Sequence, residues 1–232
     1  MRNQIIIFHK LTILLDESGS MYPNKRDVLG LLKNIIQAYK CEIELLNKGD
    51  KYFHRGLFTL MFFSNKIVYK FNDDDIEDVE EIVDYNPDNG TRLFDAVCLL
   101  EGRKYRGCYN LTIQADIHII TDINIVGNAT YGDDSTVNTL SDAQKHIDQL
   151  KLSGINVKCH CLTNQRHSVG QMMNMSSHNY RPDSGGIQQI FTSISSTISC
   201  DPSIRIDEGI DEGIDEGINE GGISQSISFP VL

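Results

Sequence analysis

No apolar run in this chain approaches the ~18 residues that a membrane-spanning helix needs. The start carries no secretory signal either. Ile5 to Phe8 is too short for the apolar core of one, and no small-residue cleavage site follows. An intracellular protein without membrane attachment is therefore expected. Three Asn-x-Ser/Thr sequons, at Asn110, Asn128 and Asn174, argue weakly the other way in an Asn-rich chain. The six cysteines (Cys41, Cys98, Cys108, Cys159, Cys161, Cys200) include no Cys-x-x-Cys pair. Cys159 and Cys161 flank His160 in an apolar strand, so both sulfurs face one side and the imidazole the other. Free thiols are expected there, not a metal site. Bases are scarce, with 21 Lys and Arg against 32 Asp and Glu. A nucleic-acid partner is excluded, because neutralising phosphates needs a basic surface. No Gly-x-Ser-x-Gly elbow is present, which removes the commonest serine hydrolase arrangement.

What is present is an alternation of strand and helix signals. Residues 5–15 read as a buried strand. Val28, Leu31, Leu32, Ile35, Ile36 and Tyr39 recur at helical spacing within 26–46. Strands follow at 56–63 and 67–71. They are close enough for a hairpin, so the second is expected antiparallel at the sheet edge. An acidic helix is expected over 73–83, a turn at Asp88-Asn89-Gly90 and a helix over 92–105. Then come a strand at 117–120, a polar loop at 124–135, a helix at 140–152 and a strand at 157–162. A short helix near 172–175, a brief strand around Tyr180 and a final helix at 187–198 complete the series. The expected fold is α/β and doubly wound. It has a mostly parallel six-stranded sheet with one antiparallel edge strand and helices on both faces.

The pattern changes after Cys200. Ile206-Asp207-Glu208-Gly209 repeats at 210 and 214, then recurs as Ile218-Asn219-Glu220-Gly221. Each Gly costs about 1 kcal/mol of helix propensity relative to Ala. Residues 201–232 hold eight acids and one base, for a net −7 of the chain's −11. The division expected is a domain over 1–200 and a disordered acidic tail over 201–232. The repeated Asp-Glu pairs also suggest self-association through the tail, since multivalency raises effective concentration.

The chemistry concentrates at Asp16-Glu17-Ser18-Gly19-Ser20, where the first apolar strand ends in a carboxylate followed by hydroxyls at alternate positions. Three oxygens on one tight loop suit a hard divalent cation. Thr91 follows a turn and opens a helix, and Asp122 closes the strand Ile117 to Ile120. In open α/β sheets, ligands bind at such carboxyl ends. Taken singly, Ser20 and Thr91 also suit helix caps and Asp122 a turn.

In order and context, these segments resemble the von Willebrand factor type A family with its metal-ion-dependent adhesion site. The family's pattern is Asp-x-Ser-x-Ser after the first strand, a Thr in a Gly-Thr-x-Leu context, and an Asp after the fourth strand. The resemblance covers roughly residues 5–199 and implies Asp16, Ser18, Ser20, Thr91 and Asp122 as metal ligands. It implies Mg²⁺, or alternatively Mn²⁺ or Ca²⁺, with hydroxyls binding directly and one or both Asp acting through water. It also implies an open coordination position for a Glu or Asp of a partner protein, in a module that is not an enzyme. The chain departs from the pattern at Ile123, where many members have Gly.

Two other functions compete. A phosphotransfer enzyme of the haloacid-dehalogenase type resembles Asp-x-Asp-x-Thr/Val. Ser18 stands where its second Asp belongs, and no Lys lies near the Asp122 strand end. A metal-independent scaffold keeping only part of the ligation is the other alternative.

Overall fold

A computed structural model of the chain describes residues 5–198, apart from 50, 83, 89, 102–105, 108–109, 127–128, 132 and 166. The acidic tail and the sulfurs of Cys108 and Cys200 lie outside the described residues. Strand β1 (Ile6–Asp16) runs through the middle of the sheet and is buried on both faces. It pairs in parallel with β2 (Phe53–Phe63) on one side, residue for residue from Ile6↔Phe53 to Asp16↔Phe63. On the other side it pairs in parallel with β5 (Asn110–Thr121). Strand β3 (Ile67–Asp75) is antiparallel to β2 at one edge, and the two-residue β4 (Arg106–Gly107) is antiparallel to the start of β5. Strands β8 (Asn156–Leu162) and β9 (Ser176–Tyr180) extend the parallel sheet to the far edge. The strand order is β3-β2-β1-β5-β8-β9. A hairpin of β6 (Asn124–Val126) and β7 (Ala129–Tyr131) stands apart.

Helices cover both faces. α1 (Lys25–Gly49) and α5 (Ser184–Ile198) pack on the face bearing Leu11, Ile13 and Leu15. α2 (Leu93–Cys98), α3 (Leu140–Leu152) and α4 (Val169–Met172) pack on the face bearing Leu14, Met61, Ile117 and Ile119. α1 is helical because its apolar residues fall on one stripe, from Val28 through Leu32 and Ile35 to Ile43, all buried. Each such Leu or Ile taken from water contributes about 1.5–3 kcal/mol. The connections from β1 run to β2 on one side and ultimately to β5 on the other. The reversal of strand order therefore lies between β1 and β5, and the carboxyl ends of those two strands frame a crevice.

The helix expected over 73–83 is not formed. β3 continues to Asp75, and only a 3-10 turn, Ile76–Asp78, follows. The acids there are drawn into the sheet by cations on neighbouring strands. Lys10 Nζ lies 2.7 Å from Asp73 and Arg55 Nε 2.6 Å from Asp75. Asp73, at φ +57°, exchanges hydrogen bonds with Thr59. The helix expected over 92–105 stops at Cys98, and 102–105 lie outside the described residues. β5 starts at Asn110, seven residues before the apolar run, because its polar first half pairs with β1 through a bulge at Phe8/His9. Cys159 and Cys161 are buried free thiols with sulfurs 3.5 Å apart.

Candidate metal centre

β1 delivers Asp16 to the crevice with its side chain wholly buried. Asp16 Oδ1 accepts from the Ser18 N–H at 2.8 Å, which turns the chain sharply at the strand end. Oδ2 accepts from Thr121 Oγ1 at 2.6 Å, tying the ends of β1 and β5 together. The backbone carbonyl of Asp16 accepts from the Tyr85 hydroxyl at 2.7 Å, and that ring lies edge-on to Phe62 in the core. Glu17 turns away from this point. Its N–H donates to Phe63 O, and its carboxylate accepts from the Asn86 N–H at 2.8 Å.

Above Asp16 the oxygens form a continuous series. Ser18 Oγ and Ser20 Oγ are 3.0 Å apart, and Ser20 Oγ donates to Asp122 Oδ1 at 2.9 Å. Neither serine caps the 3-10 turn Gly19–Asn24: Ser18, at its N-cap position, makes no capping hydrogen bond, and Ser20 lies inside it. Four of the five sequence-predicted residues thus meet through direct contacts.

Thr91 lies three residues after Asp88, which is tied to the Ser18 turn through the main chain. Asp88 pairs in parallel with Ser18, and its N–H donates to Glu17 O at 2.8 Å. Gly90 then turns at φ +87°, where a Cβ would stand 3.1 Å from Asn65 Cβ, so this turn favours glycine. Thr91 follows, buried, with its N–H donating to Asp134 Oδ2 at 3.0 Å and its carbonyl accepting from the Asp134 N–H. Thr91 does not cap α2. That task falls to Asp133, which accepts from the Leu93 N–H at 2.9 Å, and to Ser135, whose hydroxyl accepts from the Asp95 N–H at 3.1 Å.

Sequence reasoning missed the groups that hold this arrangement. Thr121 stands directly after the apolar run 117–120, a position that could have marked it, but nothing in the pattern singled out Tyr85. Residues 133–135 read only as the end of a polar loop over 124–135, and the loop in the structure runs on through 138. In the structure it clasps α2 around the buried Asp95. Asp95 accepts from Arg92, from the N–H groups of Thr136, Val137 and Asn138, and from the Asn138 amide. Ile123, at the departure from the family pattern, is buried in the core and donates its N–H to Thr121 Oγ1 at 3.1 Å.

The electrostatics follow from burial. Burial, and then the neighbouring Asp122 charge, push the Asp16 carboxyl up to about 7. Asp122 is raised by burial, with the Ser20 hydrogen bond opposing. The Tyr85 phenol is raised by burial and by the Asp16 charge. Asp95 is the contrast. Burial pushes it up, yet the hydrogen bonds from Thr136, Arg92 and Asn138 prevail and hold it at about 2. Two carboxylates forced together at a strand end, with hydroxyls and no sulfur or imidazole, make a donor set suited to a hard cation. Among the described residues, no three His, Cys, Asp or Glu side chains gather at one point. The centre therefore differs from an all-carboxylate cage.

Comparison with known proteins bears on the fold. The chain is similar to proximal thread matrix protein 1 from the mussel byssus (TM-score 0.53, 10% identity, covering 84% of this chain and 49% of that one). It is similar also to a von Willebrand factor type A protein from Catenulispora acidiphila (TM-score 0.52, 13% identity, 82% and 42% covered). A third likeness is to the pilus adhesin SpaC from Lactobacillus rhamnosus GG (TM-score 0.52, 11% identity, 86% and 31% covered). The chain spans a third to a half of the length of these structures. At such identities the likeness is one of fold. No family model matches the sequence, and no curated protein matches it.

Proposed function

We propose that this chain, which has the fold of a von Willebrand factor type A domain, is a metal-dependent protein-binding module and not an enzyme. Asp16, Ser18, Ser20, Thr91 and Asp122 are the residues that would hold a divalent cation, Mg²⁺ foremost, at the carboxyl end of the sheet. The observation that carries this reading is the series Ser18–Ser20–Asp122 standing over the buried Asp16. A cation held by such a set supplies an open, Lewis-acidic position to a carboxylate of a partner protein. The protein's own part is positional. Thr121 and the Ser18 N–H fix the Asp16 carboxylate, Tyr85 fixes the strand end, and Asp134 fixes the Thr91 main chain. Three hydroxyls with two carboxylates leave the cation less neutralised than a carboxylate cage does, which favours a negatively charged guest.

The phosphotransfer alternative lacks its second acid, because Ser18 occupies that position and bonds to Ser20. The test is affinity capture with wild-type protein and Asp16→Ala, each with and without chelator. The reading expects a partner retained by wild type in Mg²⁺ and lost with either chelator or the substitution. Retention under all four conditions would favour a metal-independent scaffold. Among the described residues, no helix is long and apolar enough to cross a membrane.

A further inference from the structure

The two edges of the sheet are finished differently. The β3 edge carries several devices that discourage another strand from adding to it. Its pairing with β2 is interrupted at two places, Asp73 stands at φ +57°, and the strand bears Lys70, Asp73, Asp74 and Asp75. β9 has none of these. It pairs with β8 residue for residue, from Lys158↔Ser176 to Leu162↔Tyr180. Its sequence, Ser176-Ser177-His178-Asn179-Tyr180, contains no Lys, Arg, Asp, Glu or Pro. Among the described residues no strand lies on its outer side, and Ser176, His178 and Asn179 are exposed. One hydrogen bond tells which groups face outward. The Thr163 N–H, just past the end of β8, donates to Tyr180 O at 2.8 Å. The N–H and C=O of one strand residue point to the same side, and successive residues alternate. Tyr180, His178 and Ser176 therefore address β8, while Ser177 and Asn179 hold their main-chain groups outward. The side chains of these two are tied within the chain. Ser177 Oγ lies 2.7 Å from Ser168 Oγ, and the Asn179 amide donates to Gln165 O at 2.8 Å.

We infer that β9 is the edge through which two copies of this chain pair, antiparallel about a two-fold axis at His178. That register sets Ser177 of one copy opposite Asn179 of the other, twice. Both residues face outward, so each pair exchanges two hydrogen bonds and four form across the axis. Neighbouring registers are poorer. An axis at Ser177 opposes Asn179 to Met175, whose N–H is already given to Gly170 O at 2.9 Å. An axis at Asn179 opposes Ser177 to Arg181, whose carbonyl already accepts from the Asp183 N–H at 2.8 Å. The ladder about His178 is self-complementary, as a two-fold interface requires, and sets no acid or base of one copy against its like in the other. The two sheets then form one continuous sheet with the copies running in opposite directions. Their strand-end centres point away from each other, so such a dimer bridges two guests and does not clasp one. The interface is small. Five residues span only about 17 Å, short of the ~800 Å² per copy that a standard interface buries, so the association is reversible and weak.

Sedimentation velocity of the full chain in chelator, from about 1 to about 300 µM, tests this. Wild type is expected to pass from monomer to dimer across that range. Asn179→Pro removes an outward N–H and sets a ring at the edge, while the hydrogen bonds to β8 stay in place. It should weaken the dimer at least about ten-fold. His178 stands against its own mate on the axis, where opposed side chains are closest. His178→Lys and His178→Glu should therefore each weaken the dimer several-fold, because each sets like charges face to face. Thermal melts check that the variants fold. Should Asn179→Pro fail to melt cooperatively, the two His178 variants decide alone. A wild type that stays monomeric throughout overturns the inference and leaves the edge to some other occupant. A dimer that is unchanged in the folded variants overturns it as well. So do opposite responses to Lys and Glu, which would mark the chain's net charge of −11 as the cause and not strand pairing.

Discussion

Ser20 Oγ donates a 2.9 Å hydrogen bond to Asp122 Oδ1 across 102 residues of sequence. That contact joins the turn after β1 to the end of β5, and Ser20 also touches Ser18. On the proposed reading, Ser20 and Asp122 are two of the residues that would hold a divalent cation here. Ser20→Ala should therefore weaken Mn²⁺ binding by about ten-fold or more, while costing less than about 1 kcal/mol of stability because the bond is exposed. Calorimetric titration beside urea unfolding checks both halves. A large loss of stability with unchanged Mn²⁺ affinity would make Ser20 a structural residue only.

Metal binding should depend on pH through Asp16. Burial and Asp122 raise this carboxyl from 3.8 to about 7. The protonated group is a poor ligand, so proton and cation compete for it. Apparent Mn²⁺ affinity should be flat above that value and fall by up to about ten-fold for each pH unit below it. Repeating the titration between neutral and mildly acidic pH checks the slope. An affinity constant across this range would mean that Asp16 does not ligate directly.

Acid should act against the fold through buried histidines under α1 and α5. Thr197 Oγ1 donates to Ile194 O at 2.7 Å, so it accepts from His118 Nε2. His118 Nδ1 must then accept from His160 Nε2, 2.9 Å away. Both rings are buried and neutral, and a second proton between them has no acceptor. Burial, with the neighbouring imidazole or lysine, lowers His118 well below its ordinary value and His160 to about 3. His9, stacked on His54, is lowered to about 4. A histidine depressed in the folded state is protonated first in the unfolded state. Stability is then complete above the unfolded value of 6.5 and is lost as pH falls toward the folded values near 4 and 3. Each imidazole should cost on the order of 1–2 kcal/mol by pH ~5. In chelator, Asp16 and Asp122, both raised by burial, act in the opposite sense. The check is therefore the difference in urea midpoint between wild type and His160→Gln, which should move in favour of the variant as pH falls. A difference that stays constant with pH would contradict the assignment.

Asp95 should prove to be the main anchor of loop 133–138. It is buried, and it accepts from three backbone N–H groups and from Arg92. Asp95→Ala leaves those donors without an acceptor and should cost about 3 kcal/mol or more. The loop also holds Thr91 through Asp134, so metal binding should weaken as well. Urea unfolding and Mn²⁺ titration of Asp95→Ala against Asp95→Asn check this. Loss of stability without any change in Mn²⁺ affinity would uncouple the loop from the centre.

Much of this architecture was legible because burial imposes periodicity. Val28 through Tyr39 marked α1, and the apolar runs ending at Asp16 and Asp122 marked β1 and the upper half of β5. The lower half of β5 was not legible. Gln114 and Asp116 are polar inside the sheet because they bond to Thr197 O and Asn156, contacts that no local pattern announces. The acids at 73–75 read as a helix start because their counter-charges, Lys10 and Arg55, sit on other strands. At the centre, Asp16, Ser18, Ser20 and Asp122 were readable as strand-end oxygens. The residues that orient them were harder to read. Tyr85 lies in irregular chain, and Asp95, inside a short helix, reads as a surface acid until loop 133–138 folds over it.

The central claim is that one divalent cation binds where Asp16, Ser18, Ser20, Thr91 and Asp122 converge. Calorimetric titration of Mn²⁺ into the wild-type chain and into Asp16→Ala tests it most directly. The account predicts one equivalent bound by wild type and none by the variant, with both proteins giving a cooperative thermal melt. Equal binding by the two proteins, or none by a well-folded wild type, would contradict it.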